Sequence, residues 1–75
     1  MENNGVILIK LEYLIEMLDA RKTINIFKNE KESLKYCKVY ELLADPDFMR
    51  EYGKREVKGI IYATFDIINV LIEEV

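Results

Sequence analysis

The sequence predicts a small α+β domain. It would hold an antiparallel sheet of about four strands, built as two hairpins, with one N-terminal helix and a short helical connection, in the order α-β-β-α-β-β. Three observations point there. Apolar residues repeat at helical spacing over Leu11–Leu18 and then at every second residue over Thr23–Phe27. An Asp45-Pro46 start and a Tyr52-Gly53 stop bracket a short helix in the middle. The last nineteen residues, Val57–Val75, hold twelve apolar or aromatic side chains, the densest such stretch in the chain.

The chain opens on a polar stretch, Met1–Gly5, expected to be loosely docked. Val6–Ile9 follows as a short extended lead-in. Leu11, Leu14, Ile15 and Leu18 then fall at i, i+3, i+4 and i+7, one stripe of an amphipathic helix, with Glu12, Glu16 and Asp19 off the stripe. Tyr13 and Met17 form a flanking ridge, read first as side-wall packing and otherwise as a partner-facing edge. The helix is expected to stop near Ala20, before the alternation of Thr23-Ile24-Asn25-Ile26-Phe27. There Ile24 and Ile26 would face the helix, and Asn25 and Phe27 the other way. Lys28–Glu32 reads as a hairpin turn with Asn29 as its turn residue. Leu34–Val39 reads as the return strand, with Leu34 and Tyr36 on one face and Lys35, Cys37 and Val39 on the other.

Val39, Leu42 and Leu43 return to helical spacing. Asp45 suits an N-cap, Pro46 the first helical position, and Gly53 a left-handed C-terminal cap. The final segment admits two readings. A helix would use Val57, Ile61, Thr64, Ile68, Leu71 and Val75 as a seam. Against it, nine of its nineteen residues are Val, Ile or Thr, whose restricted χ1 suits pleated sheet, and Gly59 weakens a helix interior by roughly 1 kcal/mol. Two strands are expected, over Glu56–Ala63 and Ile68–Glu74, joined at Thr64–Ile67. Ile68, Val70 and Ile72 would share one face, and Ile67 and Leu71 the other.

Seventy-five residues bound the chain to one domain, residues 1–75. A domain of this size buries only about 60% of the surface that its unfolded chain exposes, and usually needs a disulfide, a metal or a partner subunit. Cys37 is the lone cysteine and there is no histidine, so neither an internal bridge nor a four-ligand zinc site can be built from one chain. Self-association is the expected supplement. Eleven basic and fourteen acidic residues give a formal charge of −3, which lacks the basic surplus of a nucleic-acid module. No apolar run is long enough to span a bilayer, and the acidic opening MENNGVILIK does not read as a signal peptide, so a cytoplasmic location is expected.

The catalytic inventory is thin. With no His, one Ser and one Cys, the common nucleophile–base triads cannot be assembled from a single chain. Gly5, Gly53 and Gly59 are too far apart for a phosphate loop. Asp45 and Asp47 suit helix capping better than a Mg²⁺ site, and Cys37 a strand hydrophobe better than an activated thiol near Lys35 and Lys38. No enzyme activity, cofactor or metal is expected. Two binding readings remain. Tyr36, Lys38, Arg50, Lys54, Arg55 and Lys58 crowd the middle of the chain, where cations could grip phosphate and tyrosine stack on a base. The preferred reading is that the tyrosines are core with wet tips and the cations a solvated face. Phe27, Ile67 and Leu71 form a candidate interface, since one short helix cannot cover both faces of a four-stranded sheet.

The succession of the TINIFKN hairpin, YCKVYELL, DPDFMREYGKREV and an apolar C-terminal hairpin resembles a group of short uncharacterised proteins from phages, prophages and mobile elements of low-GC Gram-positive bacteria. The likeness runs from Leu11 to Glu74 and is most specific over Val39–Val57. It departs in the wider C-terminal turn. The resemblance implies the α-β-β-α-β-β order and a phage-encoded accessory, and carries over no catalytic residue. The resulting expectation is a non-enzymatic, homo-oligomeric protein acting by binding a host component in the host cytosol, in the manner of an anti-defence inhibitor. The alternatives are a binder that sequesters a nucleotide signal and a minor structural or assembly accessory of the particle.

Overall fold

In the computed structural model, which describes residues 9–62 and 64–73, a single four-stranded sheet carries all three helices on one face. The elements run α1 (Leu11–Met17), β1 (Thr23–Asn29), β2 (Glu32–Lys38), α2 (Val39–Leu43), α3 (Pro46–Tyr52), β3 (Val57–Tyr62) and β4 (Ile67–Ile72). The polar start at 1–5, the lead-in at 6–8 and the outer ends of the C-terminal strands at 63 and 74 lie outside the described residues.

The α+β class, the two hairpins and the strand character of the C-terminal quarter are as the sequence predicts. The helical connection is resolved into two helices, giving α-β-β-α-α-β-β. The sheet is mixed rather than wholly antiparallel. Its order is β2-β1-β4-β3, with both hairpins antiparallel and the central β1–β4 pair parallel. This follows from the route of the chain. After β2, at one edge, α2 and α3 carry the backbone across the sheet to β3 at the other edge. A parallel neighbour requires such a crossover, whereas a tight turn yields an antiparallel one.

The face beneath the helices is the core. Ile24 and Ile26 of β1, Ile68, Val70 and Ile72 of β4 and Val57 of β3 are buried there against Leu11, Leu14 and Ile15 of α1 and Val39 and Leu42 of α2. The alternation expected for β1 and β4 holds residue by residue. It breaks in β2, where pairing passes from Ile26–Lys35 to Phe27–Ser33 and skips Leu34. Leu34 packs against the core cluster while Tyr36 is 60% exposed, so these two residues do not share one environment as expected. A bulge of this kind adds one residue to a strand and re-aims the side chain it carries.

Helix ends explain where the elements sit. Lys10 gives α1 no side-chain cap. Its first amides instead donate to backbone carbonyls of the loop after α3: Leu11 N to Arg55 O at 2.9 Å and Glu12 N to Gly53 O at 2.8 Å. These are the orphan donors of a helix start, satisfied by tertiary structure. The helix closes at Met17, short of the expected Ala20, because Leu18 is already extended (φ −87, ψ 152). Asp45 caps α3 as predicted, its Oδ1 accepting from Phe48 N at 3.1 Å, with Pro46 in the first turn.

Gly53 corrects an expectation. It is right-handed (φ −62, ψ −27), not left-handed. Its reason for being glycine is proximity, because a Cβ would collide with the Met49 carbonyl oxygen and press on Glu12. Tyr13 and Met17 correct another. At 54% and 67% exposure they are not side-wall packing. Seven helical residues give α1 one buried stripe, and its neighbours α2 and α3 do not wrap round to its flank.

Candidate functional site

The face of the sheet opposite the helices is largely uncharged among the described residues, and two strands dominate it. Opposed residues of paired strands share a face, so the register assembles the surface directly. In the parallel pair, Thr23 lies opposite Ile67, Asn25 opposite Asn69 and Phe27 opposite Leu71. On the β2 side, Tyr36 lies opposite Asn25 and Ser33 opposite Phe27. On the β3 side, Gly59 lies opposite Leu71. The two rows through Asn25 and Phe27 are uncharged, in a chain of which 33% is charged, and the Thr23 row ends on one charged side chain, Lys38 opposite Thr23. Thr23, Asn25, Phe27, Ile67, Asn69 and Leu71 are all half-buried, although none belongs to the core cluster.

Phe27, Ile67 and Leu71, the three residues singled out from sequence, therefore stand together on this face. A depression of about 210 Å³ opens where Phe27 and Leu71 meet the tip of the first hairpin, lined also by Asn29, Glu30, Asn69 and Val70. That tip is held by Asn29, whose Oδ1 accepts from the amides of Lys31 (2.8 Å) and Glu32 (3.0 Å). In the middle of the face, Ser33 Oγ donates to Asn25 Oδ1 at 2.6 Å, which fixes that amide and leaves its NH₂ group directed away from the hydroxyl.

The six polar residues proposed from sequence do not converge. Tyr36 and Lys38 are on β2 and Lys58 is on β3, the two outer strands, roughly 14 Å apart across three strand spacings. Lys38 Nζ donates to Arg21 O at 3.3 Å. Arg50 is tied to Asp47 at 2.9 Å within α3. Arg55 lies over the Tyr52 ring, 4.7 Å from its centroid, and Tyr52 in turn packs on Phe48 at 4.8 Å. Lys54 is in the α3–β3 loop, exposed, its carbonyl accepting from Lys10 Nζ. Their closeness in sequence spans two outer strands, α3 and the α3–β3 loop, and these elements place the side chains apart.

The titratable groups with displaced affinities also have structural causes. Backbone donation from Phe48 N, aided by Lys35 Nζ at 3.3 Å, holds the Asp45 carboxyl below the usual range. The Arg21 guanidinium, which donates to both oxygens of Asp19, lowers that carboxyl to about 2. Cys37 is half-buried, and burial raises its thiol, with Glu41 adding to the rise and Lys35 opposing it. An activated thiolate requires the opposite displacement. Among the described residues no group of three or more His, Cys, Asp or Glu side chains is placed to hold a metal ion. No helix among them is long and apolar enough to cross a membrane.

A second exposed set lies on the helical side; sequence reasoning offered Tyr13 and Met17 as a partner-facing edge only as its second choice and did not single out Leu43 or Phe65. Tyr13, Met17, Tyr40 and Leu43 are each more than half exposed, as is Phe65 in the β3–β4 turn, at 88%. Lys22 approaches Phe65 twice, its Nζ 4.8 Å from the ring centroid and 3.0 Å from the carbonyl oxygen. The signal for Tyr40 was available, because it lies one residue past Val39 and off the Val39–Leu42 stripe. Leu43, at i+4 from Val39, shares that stripe by spacing and is left out by the short length of α2. No family model, curated protein or solved structure matches this chain.

Proposed function

We propose that this chain is a non-enzymatic accessory protein of a phage or mobile element, which self-associates and acts in the host cytosol by binding a host protein, so inhibiting a bacterial defence. The observation that carries the reading is the presence, on both sides of the molecule, of apolar side chains that no described residue covers. One set is the uncharged sheet face with Phe27, Ile67 and Leu71; the other is Tyr13, Met17, Tyr40 and Leu43 on the helical layer. Apolar surface left in water on a small domain is a recurrent mark of protein contacts. Among the described residues the cations and acidic groups are scattered and supply no converging polar site for a small substrate, which supports binding by surface. The resemblance of the Leu11–Glu74 stretch to phage and prophage proteins supports the setting.

The test is expression in low-GC Gram-positive hosts that each carry one defence system, followed by phage challenge. Restored plaquing in one host is expected, and it should be lost when Tyr13, Met17 and Tyr40 are together changed to Glu in a chain that still folds. No restoration across the panel, with no host protein cross-linked to the wild type, would overturn the reading.

A further inference from the structure

We infer that the occupant of the open sheet face is a second copy of this chain, stacked face to face about a two-fold axis that runs across the strands. This rests on the self-association in the reading above and gives it a surface and an orientation. Three features of the face select a copy of itself over a foreign protein.

The first is charge. The chain carries −3 overall, so two copies repel at a distance. An uncharged contact face keeps that repulsion at the periphery. A foreign partner is usually met by complementary charges across an interface, and the Asn25–Asn69 and Phe27–Leu71 rows at the middle of this face offer none.

The second is the central row. Asn25 and Asn69 lie side by side, flanked by Phe27–Leu71 on one side and Thr23–Ile67 on the other. An amide is both donor and acceptor, so a row of amides satisfies a second row of the same kind. Under the two-fold axis, each Asn25–Asn69 row lies over its own copy. Each Phe27–Leu71 pair then lies over the Thr23–Ile67 pair of the other molecule, large rows against smaller ones.

The third is the rim. Glu30 borders the depression at the Phe27–Leu71 end of the face, and Lys38 lies opposite Thr23 at the other end. Both are exposed, and they are separated by roughly 20 Å along the strands. An axis across the strands reverses the ends, so each Glu30 meets the second copy's Lys38. An axis along the strands would superpose like ends and lose both pairs.

The face spans about 14 Å by about 20 Å, which is well below the roughly 800 Å² per partner of a standard interface. The dimer is therefore a weak, concentration-dependent one. Light scattering between about 1 and about 100 µM should show the mass rising to twice the monomer value. The double variant Phe27→Lys/Leu71→Lys should stay monomeric throughout while keeping the wild-type circular dichroism. Glu30→Lys and Lys38→Glu, each kept only if its circular dichroism matches wild type because Lys38 also starts α2, should each weaken dimerisation about 5-fold, and the combined swap should restore it to within about 2-fold. A monomeric wild type would overturn the inference and the self-association together. A dimer unaffected by Phe27→Lys/Leu71→Lys would keep self-association but move it to another surface. Loss in that variant without rescue by the charge swap would overturn the orientation. None of these outcomes bears on whether the helical layer engages a host protein, which the plaquing assay reads separately.

Discussion

Ile26 and Phe27 are adjacent in sequence and belong to two different chemistries. Ile26 is fully buried beneath the helices. Phe27, one residue on, is half-buried on a face that no described residue covers. The same contrast repeats across β4, where Ile68, Val70 and Ile72 are buried and Ile67, Asn69 and Leu71 are not. One face of the sheet holds the monomer together, and the other is free to do something else. A period-two strand delivers both from a single run of residues.

The sharpest way to break that comparison is to truncate the two neighbours. Ile26→Ala removes buried methyl groups from a packed cluster and should cost about 2–5 kcal/mol, enough to unfold much of the population of so small a domain. Phe27→Ala removes more atoms yet should cost the monomer less than about 1.5 kcal/mol, because its ring is only partly withdrawn from water. Urea unfolding at low protein concentration measures both. Equal losses would mean that the open face is as much core as the covered one.

A second prediction concerns the layer that does the covering. Gly53 lets α1 rest on the end of α3, with Glu12 N donating to its carbonyl at 2.8 Å. Gly53→Ala forces a methyl group against the Met49 carbonyl oxygen and the Glu12 side chain and should destabilise by about 1–3 kcal/mol. The same change at Gly59 meets no atom within 4 Å, so Gly59→Ala should cost less. If the order reverses in thermal unfolding, the close approach of α1 is not what selects glycine at position 53.

The buried half of this contrast was legible in the sequence because it is periodic. Leu11-Leu14-Ile15, Ile24-Ile26 and Ile68-Val70-Ile72 declare their faces by spacing alone. The parallel pairing of β1 with β4 was not legible. Periodicity says which side of a strand is buried but not which strand lies beside it, and that neighbour is set by where α2 and α3 deliver the chain. The open-face trio of Phe27, Ile67 and Leu71 was reachable because its members are the odd-numbered partners of buried residues. The Tyr36–Lys58 group does not converge within one chain for the converse reason. Its members are close in sequence, yet they sit on both outer strands and on the loops and helix between them. The exposure of Tyr13 and Met17 depended on how far α2 and α3 wrap round α1, which local sequence does not encode.

The smallest effect expected lies where the covered face reaches its edge. Lys35, on outer strand β2, shares the helix-side face with Ile26, and there the cover is polar: its Nζ meets Asp45 Oδ2 at 3.3 Å and sits 5.9 Å from the centre of the Phe48 ring. Asp45 also caps α3, so its folded-state affinity for protons is lower than that of an unfolded aspartate at 3.8. A carboxyl lowered in this way adds stability that is fully present above the unfolded value. The contribution declines as pH falls below 3.8 and is gone once the folded group is protonated as well. Asp45→Asn keeps an oxygen to accept from Phe48 N and loses only the charge. The variant should melt slightly below wild type at pH 7, where exposed pairs of this kind contribute little. The two should converge as pH falls below 3.8, when wild type carries a neutral cap too. A gap that persists unchanged at pH 2 would assign the difference to cap geometry, and the edge of the covered face would owe nothing to its ion pair.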